Sequence, residues 1–242
     1  MADDDAPTGE RILRSVLELL DEGGADAVST RAVTARAAVQ APAIYRLFGD
    51  KDGLLLAACE RAYADWVGSK ARRSPHEDPV EALRDGWDDA VDFGTRHPAV
   101  YRLAEGRSDR LPSLAAGQVI LGDKMARLAA AGRLRVSVEQ ATLLFHAAGR
   151  GVILTLIDGS MDTAGLALSD LAREAAIAAI VTDAPLAGDA TGAASAGALR
   201  AALSADPDLS AHARLIPAEV QLLDVWLQRI AAPPLPPLRV GS

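Results

Sequence analysis

The sequence predicts an all-α protein, and three observations carry that expectation. Apolar residues recur three and four positions apart through most of the chain, the spacing of helices that bury one face. Hydroxyl, Asp and Pro start signals and Gly stop signals bracket those stretches at helical lengths. The β-branched residues are scattered, and no alternating run is bounded by hairpin turns. With 242 residues, 50% of them hydrophobic and 24% charged, the chain can bury one large core or two modest ones.

Residues 1–9 form an acidic stretch expected to be a disordered arm, and MADDDAPTGE lacks the basic-then-apolar pattern of a secretory signal. A first helix is expected from Glu10 to Glu22, with Ile12, Val16, Leu19 and Leu20 as its buried stripe. Gly23-Gly24 ends it in the left-handed conformation that glycine tolerates. Ser29 or Thr30 caps a second helix that carries Arg31 and Arg36 and turns Val33 and Ala37 inward. Ala38, Val39 and Gln40 fit a short turn, which accommodates an alanine at 38 if its backbone stays at negative φ. A third helix follows from Ala41 or Pro42 to about Phe48, proline being suited to a first helical turn. Ile44 and Phe48, four apart, are expected to bury together and leave Ala41, Ala43, Tyr45 and Arg46 outward. Two short helices about a tight turn make a helix-turn-helix, whose second helix offers its N-terminal residues to the major groove.

Asp50 caps a fourth helix that runs through Leu54, Leu55, Ala58 and Ala62 to about Ser69, so one domain is expected over 10–69. The polar stretch Lys70 to Glu77 separates it from a second domain over 78–232. Asp78-Pro79-Val80-Glu81 reads as a cap, a first-turn proline and a reciprocal acid, opening a helix that ends at His97-Pro98. A short helix from Pro98 carries Tyr101 and Leu103, Gly106 to Pro112 reads as a loop, and a helix from Ser113 to Ala131 stops at Gly132. Ser137-Val138-Glu139-Gln140 is a second capping box, opening the most apolar helix, Val138 to about Ile157. Ser169 is expected to cap a helix to about Thr182. The Ala/Gly-rich 183–197 reads as a linker, followed by a short helical piece over 198–204. A helix from Pro217 to about Ala231 is expected to dock Leu222, Leu223, Trp226 and Ile230 on the core. The 233–242 stretch is a Pro-rich tail of extended geometry.

At Ser29, Arg31, Val33, Ala37, Val39, Ile44, Tyr45, Phe48, Lys51 and Leu54 the sequence resembles the TetR family of bacterial transcriptional regulators. The resemblance covers roughly residues 10 to 60. It departs at Ala38, where the turn usually has glycine, at Gln40, where a serine often caps the third helix, and at Leu47, usually aromatic or His. The resemblance implies a helix-turn-helix domain joined by a fourth helix to a larger helical ligand-binding and dimerisation domain. It implies a ligand-responsive, cytoplasmic repressor that binds a pseudo-palindromic double-stranded DNA operator as a homodimer. On that reading Thr30, Arg31, Gln40, Ala41, Pro42, Ala43, Tyr45, Arg46 and Lys51 face DNA. Arg46 and Gln40 read bases, Pro42 and Ala43 touch thymine methyls, and Thr30, Tyr45 and Lys51 hold phosphates. An unidentified small-molecule effector is expected near Trp87, Phe93, Tyr101, Phe145, His146 and Arg150, each of which reads equally as core. Arg150 reads also as a dimer contact. The helices at 138–157 and 169–182, with small residues at Ala147, Ala148, Gly149, Gly151, Ala175, Ala176 and Ala179, are expected to pair between subunits.

The formal net charge of −8 bears on DNA binding only through its distribution. From Arg31 to Lys51 four basic residues stand against the single acid Asp50. Histidines 76, 97, 146 and 212 are far apart, and no metal-ligand spacing or complete dinucleotide fingerprint appears, so neither metal nor cofactor is expected. Gly192 to Gly197 has the wrong spacing for a nucleophile elbow. An all-α protein that binds or processes a small molecule without DNA is the alternative. No uncharged apolar run reaches the length of a membrane span. The single cysteine, Cys59, excludes an internal disulfide and reads as a small buried residue, with a redox sensor as the alternative.

Overall fold

The computed structural model describes residues 7–72, 76–105, 107–159, 163–182, 192–206, 209 and 215–231. The acidic residues 1–6, linker positions 183–191 and the tail 232–242 lie outside the described residues. In chain order the helices are α1 (Thr8–Ala27), α2 (Thr30–Ala37), α3 (Ala41–Phe48), α4 (Lys51–Ala71), α5 (Pro79–Arg96) and α6 (Pro98–Glu105). A 3-10 turn (Ser108–Arg110) precedes α7 (Pro112–Ala130), α8 (Val138–Asp158), α9 (Thr163–Ile180), α10 (Gly192–Ala205) and α11 (Pro217–Ala231). No strand forms among the described residues; one antiparallel bridge joins Leu134 and Val181. The fold is all-α, as the periodicity requires.

Contacts gather the chain into two units, the first holding residues up to 72, Asp85–Val119 and Arg150–Ser169. In it α1 buries Ile12, Val16, Leu19 and Leu20. The helix breaks at Gly23 and Gly24, the latter at φ 67°, and a last turn resumes as far as Ala27. Ser29 caps α2 by accepting from the Ala32 N–H at 3.1 Å, and Asp50 caps α4 by accepting from Gly53 at 2.8 Å. Leu54, Leu55, Ala58 and Cys59 of α4 are buried, and α6 packs on both α1 and α4. Gly94 of α5 permits a close helix approach: a Cβ there would stand 2.4 Å from Ile153 Cγ2 and 3.1 Å from the Tyr101 ring. Burial pushes the Cys59 thiol up to about 11, so it stays protonated at neutral pH and acts as a small core residue.

The second unit holds His76–Arg84, Ile120–Gly149 and the described residues from Asp170 onward. Its core includes Met125, Leu128, Leu134, Ala141, Phe145, Ile177 and Ile180. Ser137 and Gln140 make both halves of their capping box, at 3.2 and 3.3 Å. The Arg84 guanidinium bonds both Glu174 oxygens, at 2.9 and 2.7 Å, and holds that carboxyl at about 2. α10 and α11 pack as a helical hairpin around Ala196, Leu227 and Ala231, with Leu203 and Leu223 partly buried beside them.

Several expectations are corrected. Ala38 adopts φ 51° and ψ 49°, the left-handed region, rather than negative φ, because its N–H must return to the Thr34 carbonyl to close α2. A Cβ in that region costs about 1–2 kcal/mol. Replacing Ala38 with Gly is therefore expected to raise stability by about 1 kcal/mol, read as a higher urea midpoint at unchanged slope. The reciprocal half of the Asp78 box is not made: Asp78 accepts from Val80 at 2.7 Å, but Glu81 bonds Arg84 at 2.6 Å. Ser169 lies inside α9, buried, rather than capping it. α10 starts at Gly192, within the stretch expected as linker. On α11 the docked residues are Leu227 and Ala231, while Leu222, Trp226 and Ile230 are exposed. The reading that no uncharged apolar run has the length of a membrane span stands among the described residues: α8 has the length and the apolar composition, but it carries Glu139 and Arg150.

Candidate nucleic-acid interface

The helix-turn-helix is built from its anchors outward. Val33 and Ala37 turn α2 inward, and Ile44, 3% exposed, does the same for α3 with help from the half-buried Phe48. An eight-residue helix has too few turns to persist alone, so this contact decides the pose of α3. The chain leaves the left-handed Ala38, passes Val39 and enters α3 at Gln40, whose backbone is extended and whose carbonyl accepts from Ala43 at 3.0 Å. Gln40 makes no side-chain cap, so its exposed amide is not spent on the first turn. Pro42 supplies the fixed φ that the first turn needs.

On the outer side of α3 lie Pro42, Tyr45, Arg46 and Leu47, all exposed. Ala41 and Ala43, expected outward, are half-buried instead, since they flank Ile44 where α3 rests on its neighbours. The Thr30 hydroxyl lies 3.4 Å from the Tyr45 hydroxyl, which joins the start of α2 to α3 and places two expected phosphate contacts side by side. Lys51 Nζ donates to the Ala25 carbonyl at 3.4 Å, so its ammonium sits at the rim where α1 ends and α4 begins. Arg31, Arg46 and Lys51 are exposed. Arg36 is different: it bonds Glu22 at 2.8 Å and approaches Glu18 at 3.9 Å, so acids of α1 offset its charge. The basic excess read from the sequence is thus narrower than four residues.

One contributor was not singled out in the sequence. Asp52, in the first turn of α4, accepts from Arg107 at 2.8 Å and from Arg110 at 2.9 Å. The two guanidiniums hold its carboxyl below the usual range. The clasp ties the root of the helix-turn-helix to the turn after α6. Its signal was present as two arginines in a short polar loop, without any indication of their partner.

The candidate effector residues divide between the units. Trp87, 2% exposed, donates its indole N–H to Ser169 Oγ at 3.1 Å. Phe93 stacks on Trp66 at 4.8 Å and meets the Tyr63 ring edge-on at 4.9 Å. Tyr101 is buried, which pushes its phenol up and keeps it neutral. Arg150 is exposed and pairs with Glu105 of α6. These four belong to the first unit; Phe145, buried, and His146, exposed, belong to the second. Among the described residues no group of His, Cys, Asp and Glu is arranged to hold a metal.

An α3 pinned by one buried isoleucine, preceded by a tight turn and presenting Pro42, Tyr45 and Arg46 outward, defines a helix-turn-helix protein of the all-α class. Residues 12–58 match the family described as bacterial regulatory proteins, tetR family, a match that covers the helix-turn-helix head. The chain is 36% identical over 75 residues to the HTH-type transcriptional repressor KstR of Rhodococcus jostii (strain RHA1), a match covering 31% of this chain and 35% of that one. The chain thus matches about a third of this relative's length. Its fold is similar to SmeT, the repressor of the Stenotrophomonas maltophilia multidrug efflux pump SmeDEF, with a TM-score of 0.56 and 22% identity over 76% of this chain and 96% of that one. It is similar also to the transcriptional regulator FadR from Bacillus subtilis in complex with stearoyl-CoA, with a TM-score of 0.57 and 13% identity over 71% and 98%.

Proposed function

We propose that this protein is a ligand-responsive transcriptional repressor that binds a pseudo-palindromic DNA operator as a homodimer. The observation that carries this reading is the outward set on α3: exposed Arg46 and Tyr45 with an uncapped Gln40, on a helix whose inner side is fixed by Ile44. Arg46 suits guanine O6 and N7, and the Gln40 amide suits adenine N6 and N7. Thr30, Tyr45 and Lys51 position the head on phosphates. A second copy follows from the apolar residues that α8 and α9 leave in water: Leu143 and Leu144 on the first, Leu166, Leu168 and Leu171 on the second. Pairing of these helices would cover them and set two reading heads at a fixed separation, one per major groove. The effector acts through its differential affinity for two arrangements of the heads, with α4 as the lever and the Asp52 clasp as its tie to the turn after α6.

Fragments of the source genome that the purified protein retains will share an inverted repeat if this reading holds; retention without common sequence would overturn it. Lys51→Ala is expected to weaken binding to all sequences alike and to lower the salt slope by about one per half-site. Arg46→Ala is expected to relax preference at one base position per half-site, worth about 1–3 kcal/mol of discrimination, with the salt slope changed no more than one charge requires. Binding titrations at several salt concentrations, on operator and on mismatched DNA, separate the two effects. A protein that stays monomeric at micromolar concentration would contradict the pairing of α8 and α9.

A further inference from the structure

The solved structures similar in fold are matched over 95–100% of their own length but only 71–76% of this chain. The stretch from Thr8 to Ile180, α1 to α9, makes up about that share of the chain, and the α10–α11 hairpin follows it. The hairpin is fastened to its own unit on its inner side. Arg200 of α10 bonds Asp224 of α11 at 2.6 Å and also pairs with Glu139 of α8. Its outer side is apolar: Leu222 is 47% and Trp226 52% exposed, with Ile230 exposed one turn further on. Three large apolar side chains in a row along one helix side suit contact with another apolar surface.

We propose that a second copy of this chain covers it, by antiparallel pairing of α11 with α11 about a twofold axis beside Asp224. The residues on this face are arranged for their own mirror order. Leu222 and Trp226 stand two positions either side of Asp224, so each leucine meets the partner's tryptophan and the contact occurs twice in the pair. Glu219 and Arg229 stand five positions either side, so each end of the pair joins opposite charges. Ala218 and Ile230 stand six either side, a small residue opposite a large one. An isologous contact requires that whatever residue i meets, its equivalent meets i in return, and these three sets satisfy that condition together. An unrelated partner, or the residues that follow Ala231, would not require the order to be symmetric about one position. This surface lies on a different helix from α8 and α9, so it would add a contact to any dimer they form.

The test uses the full chain in sedimentation velocity across the micromolar range, with circular dichroism to show that every variant keeps its helix content. Leu222→Ser with Trp226→Ser is expected to remove one association step that the unaltered chain shows. Glu219→Arg and Arg229→Glu, each alone, place like charges opposite one another and are expected to weaken that step at least tenfold. Mixing the two single variants in equal amounts restores it. In the mixed pair the new arginine faces the new glutamate, and the retained Arg229 faces the retained Glu219. If all variants sediment as the unaltered chain does, the proposal fails. It fails also if the single variants are weakened and mixing restores nothing, which would mean that their effect lies within one chain. Loss of α8–α9 pairing would be read instead from Leu143→Ser with Leu171→Ser, which leaves the mixing result unchanged.

Discussion

Ile44→Ala will abolish operator binding while leaving most of the helical structure in place. The side chain is 3% exposed and is the one fully buried residue of α3. Its truncation removes buried methyl groups and leaves a cavity that an eight-residue helix cannot collapse to fill, a cost of about 2–5 kcal/mol. That cost falls on a helix with little cohesion of its own: it has no side-chain N-cap, and its one lateral tie at its exposed edge is the 3.4 Å Thr30–Tyr45 contact. α3 is therefore expected to detach locally before the rest of the first unit unfolds. Hydrogen exchange will show lost protection over 41–48 with protection retained over α4 and α6. Binding titrations will show affinity reduced at every sequence, unlike the single-position effect of Arg46→Ala. Full operator affinity in Ile44→Ala would mean that α3 is not the reading element.

Much of this head was legible because its determinants act over a few residues. Ser29, Asp50 and Ser137 each bond an N–H three positions on, so residue type and spacing state the whole interaction. The same local grammar misplaces Ser169. A serine before an apolar run reads as a cap, but this one is met by an indole 82 positions earlier in the chain. Ala38 shows the opposite limit. Its side chain prefers negative φ, and the closure of α2 against the entry to α3 overrides that preference. On α11 periodicity placed the helix ends correctly, yet the helix has apolar residues on two sides. Nothing within it tells that Leu227 and Ala231, rather than Leu222 and Trp226, meet α10. Charge reads least well: Arg36 counts as part of a basic face until Glu22, on another helix, is found beside it. The helix-turn-helix was readable from its own residues, whereas the effector candidates were chosen by type, and type does not distinguish a pocket wall from a packed core.

Trp87 tests that last distinction. Its indole is 2% exposed and its only polar atom is satisfied by Ser169 Oγ at 3.1 Å, the arrangement of a structural core residue. Trp87→Ala is expected to cost about 3–5 kcal/mol. For a chain of this size that lowers the melting temperature on the order of 10 °C. Trp87→Phe keeps most of the volume but leaves the Ser169 hydroxyl, itself buried, without its donor, and is expected to cost about 1–3 kcal/mol. Ser169→Ala removes the other partner and strands the indole N–H, so its cost should be similar. The double variant Trp87→Phe with Ser169→Ala should cost less than the sum of the two, because neither polar atom is then left alone. Thermal unfolding of the four proteins closes the cycle. Additive losses would show that the bond contributes nothing beyond packing. If Trp87→Ala melted with the unaltered chain, the indole would belong to an open pocket wall.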